Sequence, residues 1–291
     1  MCARFQLTIP MVSKATRALM GTVGFFATTA AVGAQPVLLQ LRPRIGDTLH
    51  VKLEQQVEMT GMPPGCGAQP TARMRSSAST DCANIRTMNT EMEVFSRAIV
   101  RKSMRDATEM LAITDSVRTV SGKRSTGNRA VKQPSSRGPV EIRISSDGGV
   151  ELGAGPASDE IRTLFGQMPP TLSRKAVAIG ERWVHEMRVP LPGEPGAFGK
   201  VRTTFQLDSL GRNGEMAYIS MRGALSHDHS DGSDSETRGT LVGSMQFNRR
   251  LAWITETRAT IDVWSQVKAP PAPKPMQVHT RVTQSLRVDA Q

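Results

Sequence analysis

What most constrains this chain is a period of two that returns along most of its length. Leu49, Val51, Leu53, Val57 and Met59 alternate with His50, Lys52, Glu54, Gln56 and Glu58. Alternation of this kind puts apolar side chains on one face of a strand and polar ones on the other, which a helix of 3.6 residues per turn cannot do. Val201, Phe205 and Leu207 repeat it against Arg202 and Gln206. From Leu251 the odd positions Leu251, Trp253, Ala259, Ile261 and Val263 oppose Glu256, Arg258 and Asp262. Val278, Val282, Leu286 and Val288 oppose His279, Arg281, Arg287 and Asp289. Similar runs cover 88–103, 107–119, 139–152, 181–190, 214–225 and 236–247. Turn chemistry separates them at Asp147-Gly148-Gly149, Gly211-Arg212-Asn213-Gly214 and Asn248-Arg249-Arg250.

Composition narrows the class. Hydrophobic residues make up 38% of 291, enough to build a core. Aromatics are only 4%, with 3 Trp and 1 Tyr, too few for the two interfacial girdles of an outer-membrane barrel. The chain is basic, with 37 Lys and Arg against 26 Asp and Glu.

One segment has a different period. Ser158 is placed to cap a helix whose first turn holds Asp159 and Glu160. Ile161, Leu164, Phe165 and Met168 recur at helical spacing before Pro169-Pro170 stops the run. A short helix near 158–168, packed on an open sheet face, is the expectation.

Residues 1–34 carry Arg4, Lys14 and Arg17 and no acid, then an uncharged run from Ala18 to Ala34 ending Val32-Gly33-Ala34. A basic start, an apolar middle and small residues at the end describe a secretory signal peptide cleaved near Ala34-Gln35. Met11 offers a second start for translation. The apolar run is Gly-, Ala- and Thr-rich and short of the ~20 residues a membrane span needs. A periplasmic or secreted protein is expected, with no transmembrane segment after cleavage. Cys2 would leave with the leader, and the remaining Cys66 and Cys82 are read as a disulfide. It would close a loop of fifteen intervening residues, a constraint of about 3 kcal/mol on chain-entropy reasoning.

The chain also echoes itself. Ile45-Gly46-Asp47 and Ile179-Gly180-Glu181 each lead into a long alternating run. This suggests two related meanders, although so short a match could also arise by chance. The expected organisation is a signal peptide at 1–34, a first β meander with the disulfide loop at 35–154, and a helix plus second meander at 155–291. The two meanders would make one compact unit.

The strand start Gly180-Glu181-Arg182-Trp183, preceded by the Phe165–Pro170 stretch, resembles a group of uncharacterised exported bacterial β-rich proteins. Architecturally, long alternating strands after a leader are also similar to the half-barrels of periplasmic lipoprotein carriers and mycobacterial lipid-binding lipoproteins. The half-barrel likeness implies a concave apolar surface for acyl chains.

Chemistry is sparse. No dinucleotide fingerprint, phosphate loop, zinc-hydrolase motif or nucleophile elbow occurs in the sequence. His227-Asp228-His229 with Asp231 and Asp234 is a weak metal candidate, set against a plain polar hairpin tip. His50 and His185 read as solvated strand residues, and Trp183, Trp253 and Trp264 as packing. The acid-free stretch 121–139 suits anionic envelope surfaces, while export and missing aromatics argue against nucleic acid. No cofactor is implied.

The expected fold is therefore mainly β: long antiparallel strands in a strongly curved sheet or two related half-barrels, with one short helix. The expected function is non-enzymatic, with an apolar or lipid-like small molecule held in a cavity. Phe205, Leu207, Met245, Phe247 and Trp253 would line it, with Leu164 and Phe165 as plug. The alternatives are a structural or interaction module with a filled core, and an unrecognised hydrolase.

Overall fold

Alternation becomes pairing in the computed structural model, which describes residues 35–62, 86–121, 131–134, 138–152, 171–190, 198–227, 237–267 and 276–290. In chain order the strands are β1 (Thr48–Met62), β2 (Arg86–Ser103), β3 (Ala107–Ser121), β4 (Val131–Pro134), β5 (Val140–Ser145) and β6 (Val150–Leu152). They continue with β7 (Arg182–Pro190), β8 (Phe198–Gly211), β9 (Met216–His227), β10 (Arg238–Asn248), β11 (Trp253–Val267) and β12 (Met276–Ala290). All twelve belong to one sheet, in the order β6-β5-β3-β2-β1-β12-β11-β10-β9-β8-β7, with β4 pairing β3 off this path. Every pairing is antiparallel, and the path is open at β6 and β7.

The topology follows from short local connections. Strand after strand pairs with its neighbour in sequence, as hairpin turns dictate. The exception is the central ladder, where β1 meets β12 from Leu49 opposite Ala290 to Met62 opposite Gln277. One run of strands thus goes outward from β1 to β6, and a second returns from β7 to β12.

The predicted hairpin turns stand where expected. Asp147-Gly148 divides the 139–152 run into β5 and β6, with Gly148 at φ 95°. Gly211–Gly214 joins β8 to β9, with Arg212 and Asn213 at positive φ. In β11 the predicted unbroken alternation from Leu251 to Val263 is corrected. A register shift places Ile254 opposite Phe247 and Trp253 opposite Asn248, before Thr257 faces Met245. One extra residue in a bulged strand reverses which side chains face inward beyond it.

The core gathers at one end of the sheet. Leu49, Val100, Met110, Leu207, Ile219 and Phe247 are fully buried there and come from six different strands. They share a cluster with Leu39, Leu41, Leu172 and Val177, which lie outside any strand. Two extended segments therefore supply the cover, and they cross at an isolated antiparallel bridge between Val37 and Val177. Burying each such side chain contributes about 1.5–3 kcal/mol.

Both segments end in the same turn. Arg44 N–H donates to the Asp47 carboxylate at 2.9 Å, and Ala178 N–H to the Glu181 carboxylate at 2.8 Å. Gly46 N–H donates to Val100 O, and Gly180 N–H to Leu207 O. The carbonyls of Asp47 and Glu181 then accept from the N–H groups of Val100 and Leu207. The echo read in the sequence is thus a shared hydrogen-bond pattern. The predicted helix at 158–168 and the Cys66–Cys82 pair lie outside the described residues.

Candidate functional site: an apolar sheet face

Register defines the two faces of the sheet. The buried residues Leu49, Phe205, Leu207, Ile219, Met245 and Val288 mark the inner one. Following cross-strand partners along that face away from the core, Leu53 stands between Val94 and Leu286, and Val57 between Thr90 and Val282. Val282 faces Ile261, which faces Leu241. At the far end Met59 faces Met88 across β1 and β2, 41% and 67% exposed, while Met276 on β12 is 37% exposed. Apolar side chains thus run beyond the part that Leu39 and Leu172 cover.

The ion pairs within and between strands lie on the other face. Lys52, Glu54 and Glu58 alternate with the inner residues of β1, and Lys52 pairs with Glu54 at 2.7 Å and Glu93 at 2.9 Å. Arg97–Asp115, Lys200–Glu186 and Arg258–Glu256 add further outer pairs. Trp264 stacks on His279 there, centroids 4.8 Å apart, and His279 and Arg281 both approach Asp262. Burial pushes the Asp262 carboxyl up, but hydrogen bonds from Arg281 and His279 outweigh it and hold it below its usual range. No Asp, Glu or Lys occupies an inner register position on the described strands.

Polar residues interrupt the inner face, small hydroxyls at Thr90, Ser96, Thr257 and Thr280 and two longer carboxamides at its centre. Gln55 stands directly opposite Gln284 across the β1–β12 ladder, flanked on the same face by Leu53, Val57, Val282 and Leu286. On the outer strand neighbours, Gln55 faces Met92 and Gln284 faces Ala259. Both carboxamides are partly exposed.

Glycines occupy inner positions where the strands crowd. A Cβ on Gly243 would lie 2.3 Å from Arg258 O, and one on Gly239 2.7 Å from Asp262 O. Glycine inside a strand marks a tight bend or close backbone approach.

At the core end, Trp183 stacks on Phe205 with centroids 5.7 Å apart and donates Nε1–H to Thr171 O at 3.0 Å. His185 is not the solvated strand residue predicted. It lies on the inner face, 3.2 Å by Nε2 from Leu172 O and edge-on to Phe205. Alternation counted from Arg182 could have placed it there. Nearby, Asp147 is 5% exposed and accepts from Ser145 Oγ at 2.5 Å and Arg174 Nε at 2.7 Å. Its own carbonyl accepts from the N–H groups of Thr171 and Leu172. Burial pushes this carboxyl up, and the donors from Ser145, Arg174 and Gly149 pull it lower still, to a net position below its usual range.

Of the residues expected to line a cavity, Phe205, Leu207, Met245 and Phe247 are brought together, each at most 3% exposed, in the covered core. Trp253 packs against its edge. Leu164 and Phe165 lie outside the described residues, as do His229 and Asp231; His227 closes β9. Among the described residues no group of three His, Cys, Asp or Glu could hold a metal ion. Within 121–139, Val131–Pro134 pairs with β3 as β4. A cleft of 490 Å³ beside β3, β5 and β6 mixes Arg101, Glu109, Arg143 and Glu151 with Met110 and Ile142. The cover residues Leu39 and Leu172 and the paired glutamines were missed by sequence reasoning. Val37, Leu39 and Leu41 do alternate, which was the available signal.

No family model matches this chain, and no curated protein matches it either. Among solved structures it is similar to a lipovitellin structure concerned with lipid–protein interactions, at 12% identity and a TM-score of 0.46. That match covers 85% of this chain and 26% of the other, so the chain spans about a quarter of the lipovitellin chain. It is also similar to an outer-membrane channel from Pseudomonas putida F1, at 8% identity and a TM-score of 0.22, covering 89% of this chain and 98% of that one. No helix among the described residues is long and apolar enough to cross a membrane.

Proposed function

We propose that this chain is an exported, non-enzymatic protein of the cell envelope that holds an apolar, lipid-like ligand against the inner face of its sheet. The observation that carries the reading is the part of that face beyond the covered core, where, among the described residues, Met59, Met88 and Met276 stand exposed. Apolar surface of this extent is either covered by a partner or used to bind one.

A half-barrel shape for the sheet is part of the proposal. Laid flat, ten strand intervals would separate β6 from β7 by roughly 48 Å. Yet the Asp147 carbonyl beside β6 accepts from the N–H groups of Thr171 and Leu172, while on β7 Trp183 donates to Thr171 O and His185 lies against Leu172 O. Inner glycines at 223, 239 and 243 suit the bending this demands. Export rests on the basic and apolar leader read in the sequence. Membership of the exported β-rich group with the Gly-acid-x-Trp strand start belongs to the same proposal.

A filled core favours the alternative, a structural module, at the covered end alone, because Leu39 and Leu172 occupy that space. The test is native mass spectrometry of protein from an exporting host, together with fluorescence titration by N-phenyl-1-naphthylamine. Bound lipid mass and saturable probe uptake are expected. Bare protein with no uptake overturns the proposal in favour of the structural module.

A further inference from the structure

The Gln55–Gln284 pair is the feature that the apolar reading leaves unused. Two glutamines stand in register across the ladder joining first and last strands, in the middle of a face whose neighbouring positions are Leu53, Val57, Val282, Leu286, Met92 and Ala259. Apolar residues would fit those two positions as well and bind hydrocarbon better. Each carboxamide offers a carbonyl acceptor and two N–H donors and carries no charge. We infer that Gln55 and Gln284 form a polar anchor selecting an uncharged amphiphile, whose ester, amide or hydroxyl group hydrogen-bonds the pair while its chain lies along the apolar positions.

This inference rests on the proposed lipid-like ligand and adds the class of its polar group. Charge complementarity decides that class. The described inner positions hold no Lys, Asp or Glu, and the inner-register Arg86, opposite Gly61, and His227, opposite Gly199, stand at strand ends, six or more positions along the strands from the glutamines. His185 is taken up by Leu172 O at the covered end. Beside the carboxamides a carboxylate or phosphate would lose hydration without gaining an opposite charge, an unfavourable exchange in an apolar setting. An ester or hydroxyl loses far less and finds both a donor and an acceptor. The location also fits: the pair sits partway between the covered core and the methionine end, leaving apolar surface on both sides of a ligand's polar group.

The experiment is displacement of N-phenyl-1-naphthylamine from the whole protein by 1-monooleoylglycerol, by oleate at pH 9, and by hexadecane. With the wild type, monooleoylglycerol displaces the probe at roughly ten-fold lower concentration than oleate. Gln55→Leu with Gln284→Leu removes that preference, raising the monooleoylglycerol requirement roughly ten-fold while hexadecane displaces at the same or lower concentration. The single variants Gln55→Ala and Gln284→Ala, smaller changes for folding, shift it in the same direction by a few-fold each. Equal displacement by oleate and monooleoylglycerol, or an unchanged preference in all variants, overturns the anchor while the apolar site stands. Failure of the wild type to take up the probe at all overturns both.

Discussion

Gly46 and Gly180 occupy the same place in two turns built from the same hydrogen bonds. Each glycine has a positive φ, 91° and 85°, and each donates its N–H to a carbonyl on the strand next to the one it starts, Val100 or Leu207. The acid that follows returns its carboxylate to an N–H three residues earlier, fixing the turn from inside.

Space around both glycines is open, so only backbone conformation resists a side chain there. Gly46→Ala and Gly180→Ala should each cost about 1–2 kcal/mol, through the left-handed backbone alone. Urea unfolding of both variants tests this, and a clear inequality between them would break the equivalence of the two turns.

Gly243 is limited by space instead. Its Cβ would meet Arg258 O and Ala259 Cα on the neighbouring strand, both backbone atoms that a rotamer change cannot clear. Gly243→Ala should cost more than Gly46→Ala, by about 1–3 kcal/mol for overpacking. Comparing the thermal midpoints of these two alanine variants is sufficient.

Asp147 ties the β5–β6 turn to the segment carrying Leu172. Folding lowers this carboxyl, so its contribution is complete above the unfolded carboxylate range and fades as pH falls through the lower, folded value. Asp147→Asn should cost about 1–3 kcal/mol at neutral pH. The gap between wild type and variant should then narrow below about pH 4, read from urea midpoints across pH 3–7.

Cover and open face should respond differently to substitution. Leu39→Ala or Leu172→Ala opens a hole in a fully buried cluster and should cost about 2–5 kcal/mol. Met59→Asp and Met88→Asp, made separately at exposed positions, should change stability by less than about 1 kcal/mol. Probe uptake should nevertheless fall in both aspartate variants. Uptake that survives them would move the site elsewhere.

Strands and hairpin turns were legible because alternation and turn residues are local. The run read at 107–119 becomes Ala107–Ser121, and that at 236–247 becomes Arg238–Asn248. The bulge in β11 was not legible, since an extra residue leaves no compositional mark and only its pairing with Phe247 reveals it. Leu39 and Leu172 were missed for a related reason. Their partners lie on distant strands, and an extended segment outside the sheet has no hairpin to announce it. Gln55 meets Gln284 only because first and last strands pair, a fact no local pattern contains.

That last pairing also orders events during synthesis. Until residues 276–290 have emerged, β1 and β11 each present a bare hydrogen-bonding rim, and the two runs of strands have no ladder in common. Closure of so long a chain loop comes late and slowly. A nascent molecule thus spends its most aggregation-prone interval with both rims unsatisfied, when an escort that binds extended polypeptide would do most to raise its yield.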